Sequence, residues 1–238
     1  MKALLALLLI GALLAPADPA RARAVEAGER ASRTVELDGV TVRLRPGTRQ
    51  VVTARHTGGH HARITWWVLT GEGWQQRMQA RDGRIGYAGL VAPRRRVQGS
   101  GTTPLGSYRL PWAFGRHPKS ASWDFHYRRI RAGDYWVQDN ASDFYNRYRN
   151  KAQGGFRWRL PASDPNASER LRDYHVQYEY SLVIGFNQEQ VRHRGSGIFL
   201  HVNGAGATAG CVSAPRWFVK QLMVRLDRTR EPVIAIGR

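Results

Sequence analysis

Cys211 is the only cysteine in this chain of 238 residues, and His201 stands upstream of it with 9 residues (202–210) between them. A thiol with an imidazole within reach is the pairing for nucleophilic catalysis: the imidazole takes the thiol proton and the sulfur attacks a carbonyl. The short apolar run Ile198 to Leu200 reads as a buried strand that delivers His201 at its end. Gly204, Ala205, Gly206, Ala207, Thr208, Ala209 and Gly210 follow, too small for a core and free enough for a tight loop against a ligand. Ser213 is placed to cap a helix opening at Ala214-Pro215. Cys211 would then sit just ahead of a helix N-terminus, whose partial positive charge favours thiolate.

Residues 1–20 explain why a lone thiol matters. Met1-Lys2 is a basic n-region, Ala3 to Leu14 an apolar run too short to span a bilayer, and Ala15-Pro16-Ala17 and Ala20-Arg21-Ala22 are small-residue cleavage sites. This is the pattern of a secretory signal peptide, and it predicts a protein secreted into the cell envelope (periplasm or wall) without stable membrane insertion. An exported chain with one cysteine forms no internal disulfide, so the thiol is either buried and inert or reactive; Gly210 and Ser213 as neighbours point to the second.

The charge is extreme: Lys plus Arg minus Asp plus Glu is 37 − 18 = +19, and only Lys2, Lys119, Lys151 and Lys220 are lysines. Arginine grips carboxylate and phosphate with a planar fork. Such a chain suits anionic partners. Export turns the expectation from nucleic acid to an anionic cell-wall polymer.

Residues 21–47 form a polar lead-in and 48–238 one catalytic domain with an insert at 111–160. Within the lead-in, Val35 to Leu44 flank Asp38-Gly39, a hairpin signal. Short strands follow at Gln50–Arg55, Arg63–Leu69 and Trp74–Met78, the last two joined by Thr70 to Gly73. Gly99 to Leu110 contains Thr103-Pro104-Leu105-Gly106, a rigid turn leading into a strand. The insert interleaves aromatics with arginines around a short strand at Tyr135–Gln138. It reads either as a substrate-binding flap or as a loop-rich subdomain with its own aromatic core. Alternation from Tyr174 to Phe186 predicts a long half-buried strand. Val219, Leu222, Met223 and Leu226 fall at helical spacing and predict an amphipathic helix over Ala214–Leu226, before a last strand at Glu231–Ile236. The fold class is mainly β with one late helix.

Other chemistries find no support. His56, His60 and His61 surround Gly58-Gly59, which breaks any helix that would align them for zinc, and no carboxylate is spaced to complete the set, so no metal is expected. There is no nucleophile elbow, phosphate loop or paired carboxylate.

The segment His201-Val202-Asn203-Gly204 followed by Thr208-Ala209-Gly210-Cys211-Val212-Ser213 resembles the signature of the L,D-transpeptidase (YkuD-type) family. Gly101-Thr102-Thr103-Pro104-Leu105-Gly106-Ser107-Tyr108 is similar to a segment these domains carry upstream. The resemblance implies a YkuD-like β-sandwich with its site in a cleft, Cys211 as nucleophile and His201 as proton donor and acceptor. It implies that the backbone N–H groups of Gly210 and Cys211 help form an oxyanion hole, and that no cofactor is needed. Asp139 to Arg147 is similar to an insert of one family branch, which makes Asn146 and Arg147, with Thr208 and Ser213, candidate substrate contacts. Ala209 stands where the family commonly has histidine and Ser213 where it commonly has arginine or asparagine. Recognition of the donor carboxylate would then fall to an arginine of the insert. The substrates implied are peptidoglycan stem peptides, and the inhibitors β-lactams of the carbapenem class. The same thioester could be resolved by an amine, giving a cross-link, or by water, giving an L,D-carboxypeptidase. The competing class is a non-catalytic wall-binding module.

Overall fold

The structure, a computed structural model, describes residues 33–238. The predicted signal peptide lies outside these residues, as do residues 21–32 of the lead-in. The strands are β1 (Thr34–Leu37), β2 (Val40–Arg43), β3 (Gln50–Gly58), β4 (His61–Thr70), β5 (Gly73–Arg84), β6 (Leu90–Val91), β7 (Thr103–Pro104), β8 (Gly106–Arg109) and β9 (Ala113–Gly115). They continue with β10 (Tyr127–Arg129), β11 (Asp134–Trp136), β12 (Tyr148–Asn150), β13 (Glu169–Arg170), β14 (Tyr180–Val183), β15 (Phe199–Val202), β16 (Val212–Ala214) and β17 (Val233–Gly237). The one α-helix among the described residues, α1, spans Arg216–Arg225.

Ten strands make one mixed sheet in the order β10-β9-β14-β15-β16-β5-β4-β3-β17-β8. Strands from distant parts of this order share a single core. Val52 and Ala54 of β3, Ile234 and Ile236 of β17, Leu182 of β14 and Leu200 of β15 pack with Phe218, Val219, Leu222 and Met223 of α1. A sheet whose separated strands bury side chains in one core must curl over it, and the result is the mainly β sandwich with one helix that the sequence predicts. Outside this core, the β1–β2 hairpin lays Leu37, Val40 and Val42 on Val51, Val233 and Ala235. Its turn has Asp38 and Gly39 both at positive φ, 56° and 70°, the backbone that an Asp-Gly hairpin requires.

Two predicted elements differ. The long strand over Tyr174–Phe186 is cut to Tyr180–Val183, all four residues buried. Upstream, Gln177–Glu179 forms a tight helical turn, with Tyr178 at φ −97° and ψ 26°. Tyr174 and Val176 stay exposed, at 40% and 48%, while Tyr178 folds inward to 3%. The alternation is real, but it comes from a turn that buries one ring, which periodicity cannot tell from a strand. The helix also begins later than expected. Val212 to Ala214 pair with β15, and Pro215, at ψ 146°, is the residue before the first helical turn, with no side-chain cap.

The insert's β11 and β12 form a small sheet with β13, which lies beyond the insert, in the order β12-β11-β13; its β9 and β10 join the large sheet, and Tyr135, Val137 and Phe156 make a separate cluster. Its aromatics mostly serve as core. Asp139, 1% exposed, fastens it: one carboxylate accepts from the Arg157 side chain (Nε, 2.9 Å), from the Arg157 backbone and from Ala141 N (3.0 Å each). The Arg157 guanidinium holds the Asp139 carboxyl at about 2, below its ordinary value. A depressed carboxyl contributes stability above its unfolded value that is lost as pH falls through the folded one. Asp139→Asn is therefore expected to cost about 2 kcal/mol at pH 7 and nothing near pH 2; urea unfolding of both proteins across pH 2–7 checks this.

Candidate active site

β15 and β16 run parallel, with Leu200 opposite Val212 and His201 opposite Ser213. Strand alternation sends Leu200, Val202, Val212 and Ala214 into the main core. It sends Phe199, His201, Cys211 and Ser213 to the other face. There Cys211 joins a cluster of Phe114, Trp136, Tyr178 and Phe199. The thiol and the imidazole therefore share one face of two neighbouring strands, both nearly buried, at 9% and 6% exposure.

Each has polar partners in the backbone. Cys211 Sγ donates to the Gly197 carbonyl at 3.3 Å and accepts from Phe199 N–H at 3.4 Å. His201 Nδ1 is 2.8 Å from the Val202 carbonyl. A carbonyl only accepts, so Nδ1 carries the proton and the Nε2 lone pair is left to act as a base. The Tyr178 ring stands edge-on to His201, centroids 5.6 Å apart, and its hydroxyl donates to Glu169. Ser181, cross-strand neighbour of His201, has a buried hydroxyl with no partner among the described residues.

The expected thiolate-favouring helix end is not there. Val212 to Ala214 separate Cys211 from α1, and the surroundings are aromatic. Burial, and then the negative charge of Glu169, push the Cys211 thiol up to about 12. Burial raises the Glu169 carboxyl to about 7 and lowers His201 to about 4. At neutral pH the pair rests as neutral thiol and neutral imidazole.

His201 also gives the fold an acid limit. Its folded value lies below its unfolded one, so the stability it contributes is present above about 6.5 and lost as pH falls through about 4. The loss should be on the order of 3 kcal/mol, and His201→Gln should flatten the fall in melting temperature between pH 6.5 and 4.

The nucleophile loop is pinned from the Thr-Pro turn. Thr103 Oγ1 donates to the carbonyl of Gly210 (2.8 Å), with that of Cys211 at 3.2 Å, and accepts from Gly86 N–H. Thr208 donates to the Cys211 carbonyl at 2.7 Å and accepts from Gly210 N–H at 3.1 Å. The Gly210 N–H expected in an oxyanion hole is thus occupied by a hydroxyl. Gly210 has φ +133°, and a Cβ there would lie 2.8 Å from Arg96 Nη2 and 2.9 Å from the Thr102 carbonyl. Gly210→Ala should move the Cys211 backbone and destabilise the fold by about 1–3 kcal/mol, readable as a lowered melting temperature together with lost activity.

The other expected substrate contacts have their polar groups committed within the protein. Ser213 is fully buried and donates to Asn203 Oδ1 at 2.7 Å, so it neither caps α1 nor faces a cleft. Asn146, 5% exposed, donates to the carbonyls of Phe186 and Asn187 and accepts from Trp136 Nε1 and Gly197 N–H. It anchors Gly197 through its N–H, and the Gly197 carbonyl accepts the hydrogen bond from the thiol. Arg147 donates to the carbonyls of Asn146 and Gln188.

Glu169, Tyr178 and Arg96 are neighbours that sequence reasoning did not single out. Arg96 is 5% exposed; its Nε donates to the Thr102 carbonyl, and burial lowers its pKa. Only Tyr178 had a signal, as one aromatic of the alternating stretch. In the β3–β4 hairpin His56 Nε2 lies 2.9 Å from the Gly59 carbonyl and His60 stacks on His61. Among the described residues no three metal-ligating side chains converge.

Fold and site together define a mainly β protein with a lone cysteine and a histidine on one face of its sheet. A family model described as the L,D-transpeptidase catalytic domain (YkuD) matches residues 44–234. The chain belongs to that family of cysteine-dependent, peptidoglycan-modifying enzymes. No curated protein and no solved structure matches it.

Proposed function

We propose that the protein is an exported L,D-transpeptidase that cross-links peptidoglycan stem peptides through a thioester on Cys211. The observation that carries this is the placement of Cys211 and His201 on one face of adjoining parallel strands, inside the family-matched span, with Nε2 of His201 unbonded among the described residues. In this mechanism His201 Nε2 takes the thiol proton as sulfur bonds to the carbonyl carbon between the diamino acid and the terminal D-alanine. The tetrahedral intermediate collapses, its carbon–nitrogen bond breaks, and the imidazolium protonates the departing D-alanine amine. A side-chain amine of a second stem then attacks the thioester and releases the thiol. A neutral resting pair suits this sequence, because a neutral imidazole is already the base the first step needs. The leader-like first 20 residues and the net charge of +19 support action at the anionic envelope.

The experiment is product analysis with a purified disaccharide tetrapeptide. A cross-linked dimer with D-alanine released is the expected result. Free D-alanine with tripeptide alone would make the protein an L,D-carboxypeptidase, and no D-alanine release would end the enzymatic proposal.

A further inference from the structure

Four arginines, Arg116, Arg129, Arg131 and Arg172, line one cavity of about 540 Å³ together with His175 and Ile130. It lies beside the β9–β10 edge of the large sheet. Two of the four are held in place: Arg116 Nη1 donates to the His175 carbonyl at 3.0 Å and Arg129 Nε to the Arg116 carbonyl at 3.1 Å. A carbonyl dipole orients a guanidinium but does not cancel its charge. None of the four has a carboxylate within bridging distance among the described residues. The acids on neighbouring segments are engaged elsewhere. Asp173 pairs with Arg170, Glu179 with Arg216 and His117, and Asp134 accepts from Tyr148, Asn150 and the Arg131 backbone.

Like charges gathered in a concave site without counter-charges repel one another, and a bound anion relieves that repulsion. A lone carboxylate offsets one charge of four. Phosphate groups carry more oxygens per charge centre, can be dianionic, and match the guanidinium fork. We propose that this cavity is a binding site for phosphate-bearing ligands, either a phosphodiester chain or free phosphate. The site is physically joined to the thiol. Ile130 packs in the same aromatic cluster as Cys211, and Arg172 follows Leu171 of that cluster. His175 belongs to the segment that folds Tyr178 over His201. The expected envelope location bears only on where the phosphate comes from; the cavity stands on its own residues.

The test is calorimetric titration of the purified protein, at fixed low salt, with a synthetic glycerol-phosphate oligomer, inorganic phosphate and poly-L-glutamate. The oligomer should bind the triple variant R129A/R131A/R172A at least tenfold more weakly than wild type. A charge-matched variant of exposed arginines elsewhere, R43A/R77A/R81A, should keep wild-type affinity. Displacement of the oligomer by inorganic phosphate assigns the chain as ligand, and saturable phosphate binding without oligomer binding assigns free phosphate. Equal losses in both triple variants, or equal affinity for poly-L-glutamate, would overturn the proposal in favour of diffuse attraction or an acidic polypeptide. An unchanged melting temperature shows that R129A/R131A/R172A is folded, and carbapenem acylation of the wild-type protein, read separately, keeps failure of this site distinct from failure of the enzymatic proposal.

Discussion

Incubated with a carbapenem, the wild-type protein should gain the mass of one drug molecule, and Cys211→Ala should gain none. Cross-linking by the variant should fall by about 10⁴-fold or more, because removing the nucleophile removes the covalent route altogether. Cys211 is the single cysteine in the chain, so no second thiol can rescue the signal. The fold should tolerate the change. The lost sulfur leaves a small void among Phe114, Trp136, Tyr178 and Phe199, worth about 1 kcal/mol, and a melting curve verifies that the variant is folded. An adduct on Cys211→Ala, or retained cross-linking, would place the chemistry elsewhere. A folded wild-type protein that takes up no drug and turns over no substrate would favour a wall-binding module.

The second large effect is on thiol ionisation. With its thiol at about 12 instead of its ordinary 9.0, Cys211 holds about a thousandfold less thiolate at pH 7. Alkylation by iodoacetamide should therefore be at least that much slower than for a free thiol. It should also keep rising about tenfold per pH unit past pH 9 without levelling. The linkage has a definite sign. Folding favours the protonated thiol, so this contribution to stability is full below about 9 and lost as pH rises through about 12. A plateau below pH 9 would show a preformed thiolate–imidazolium pair and contradict the neutral resting state. Glu169 offers an internal check. Its carboxylate faces the thiol's surroundings, and Glu169→Gln should bring the Cys211 value down by removing a nearby negative charge.

For the strands, local pattern was enough. Val35 to Leu44 around Asp38-Gly39, and the runs that became β3, β4 and β5, carry turn residues and β-branched or aromatic side chains that few other conformations accommodate. The stretch from Tyr174 to Phe186 shows the limit. Its alternation is equally regular, yet only Tyr180–Val183 pairs in the sheet, because Tyr178 gains more by folding onto Phe199 and His201 than by extending.

The site divides along the same line. Residue types and spacing alone marked Cys211 and His201, because a single cysteine in a Gly-rich loop after a buried strand has few structural uses. They also marked Thr103, though only as part of a turn. Which groups surround the thiol depended on segments far away in the chain: Asn146 holds Gly197 across 51 residues and Thr103 holds Gly210 across 107. The charge state was decided there too. A sequence shows Ser213 ahead of a possible helix. Only the packed sheet shows that Val212 to Ala214 continue as a strand and that aromatic rings desolvate the sulfur. Desolvation is a property of everything that surrounds a group, and a linear pattern of residues carries no record of it.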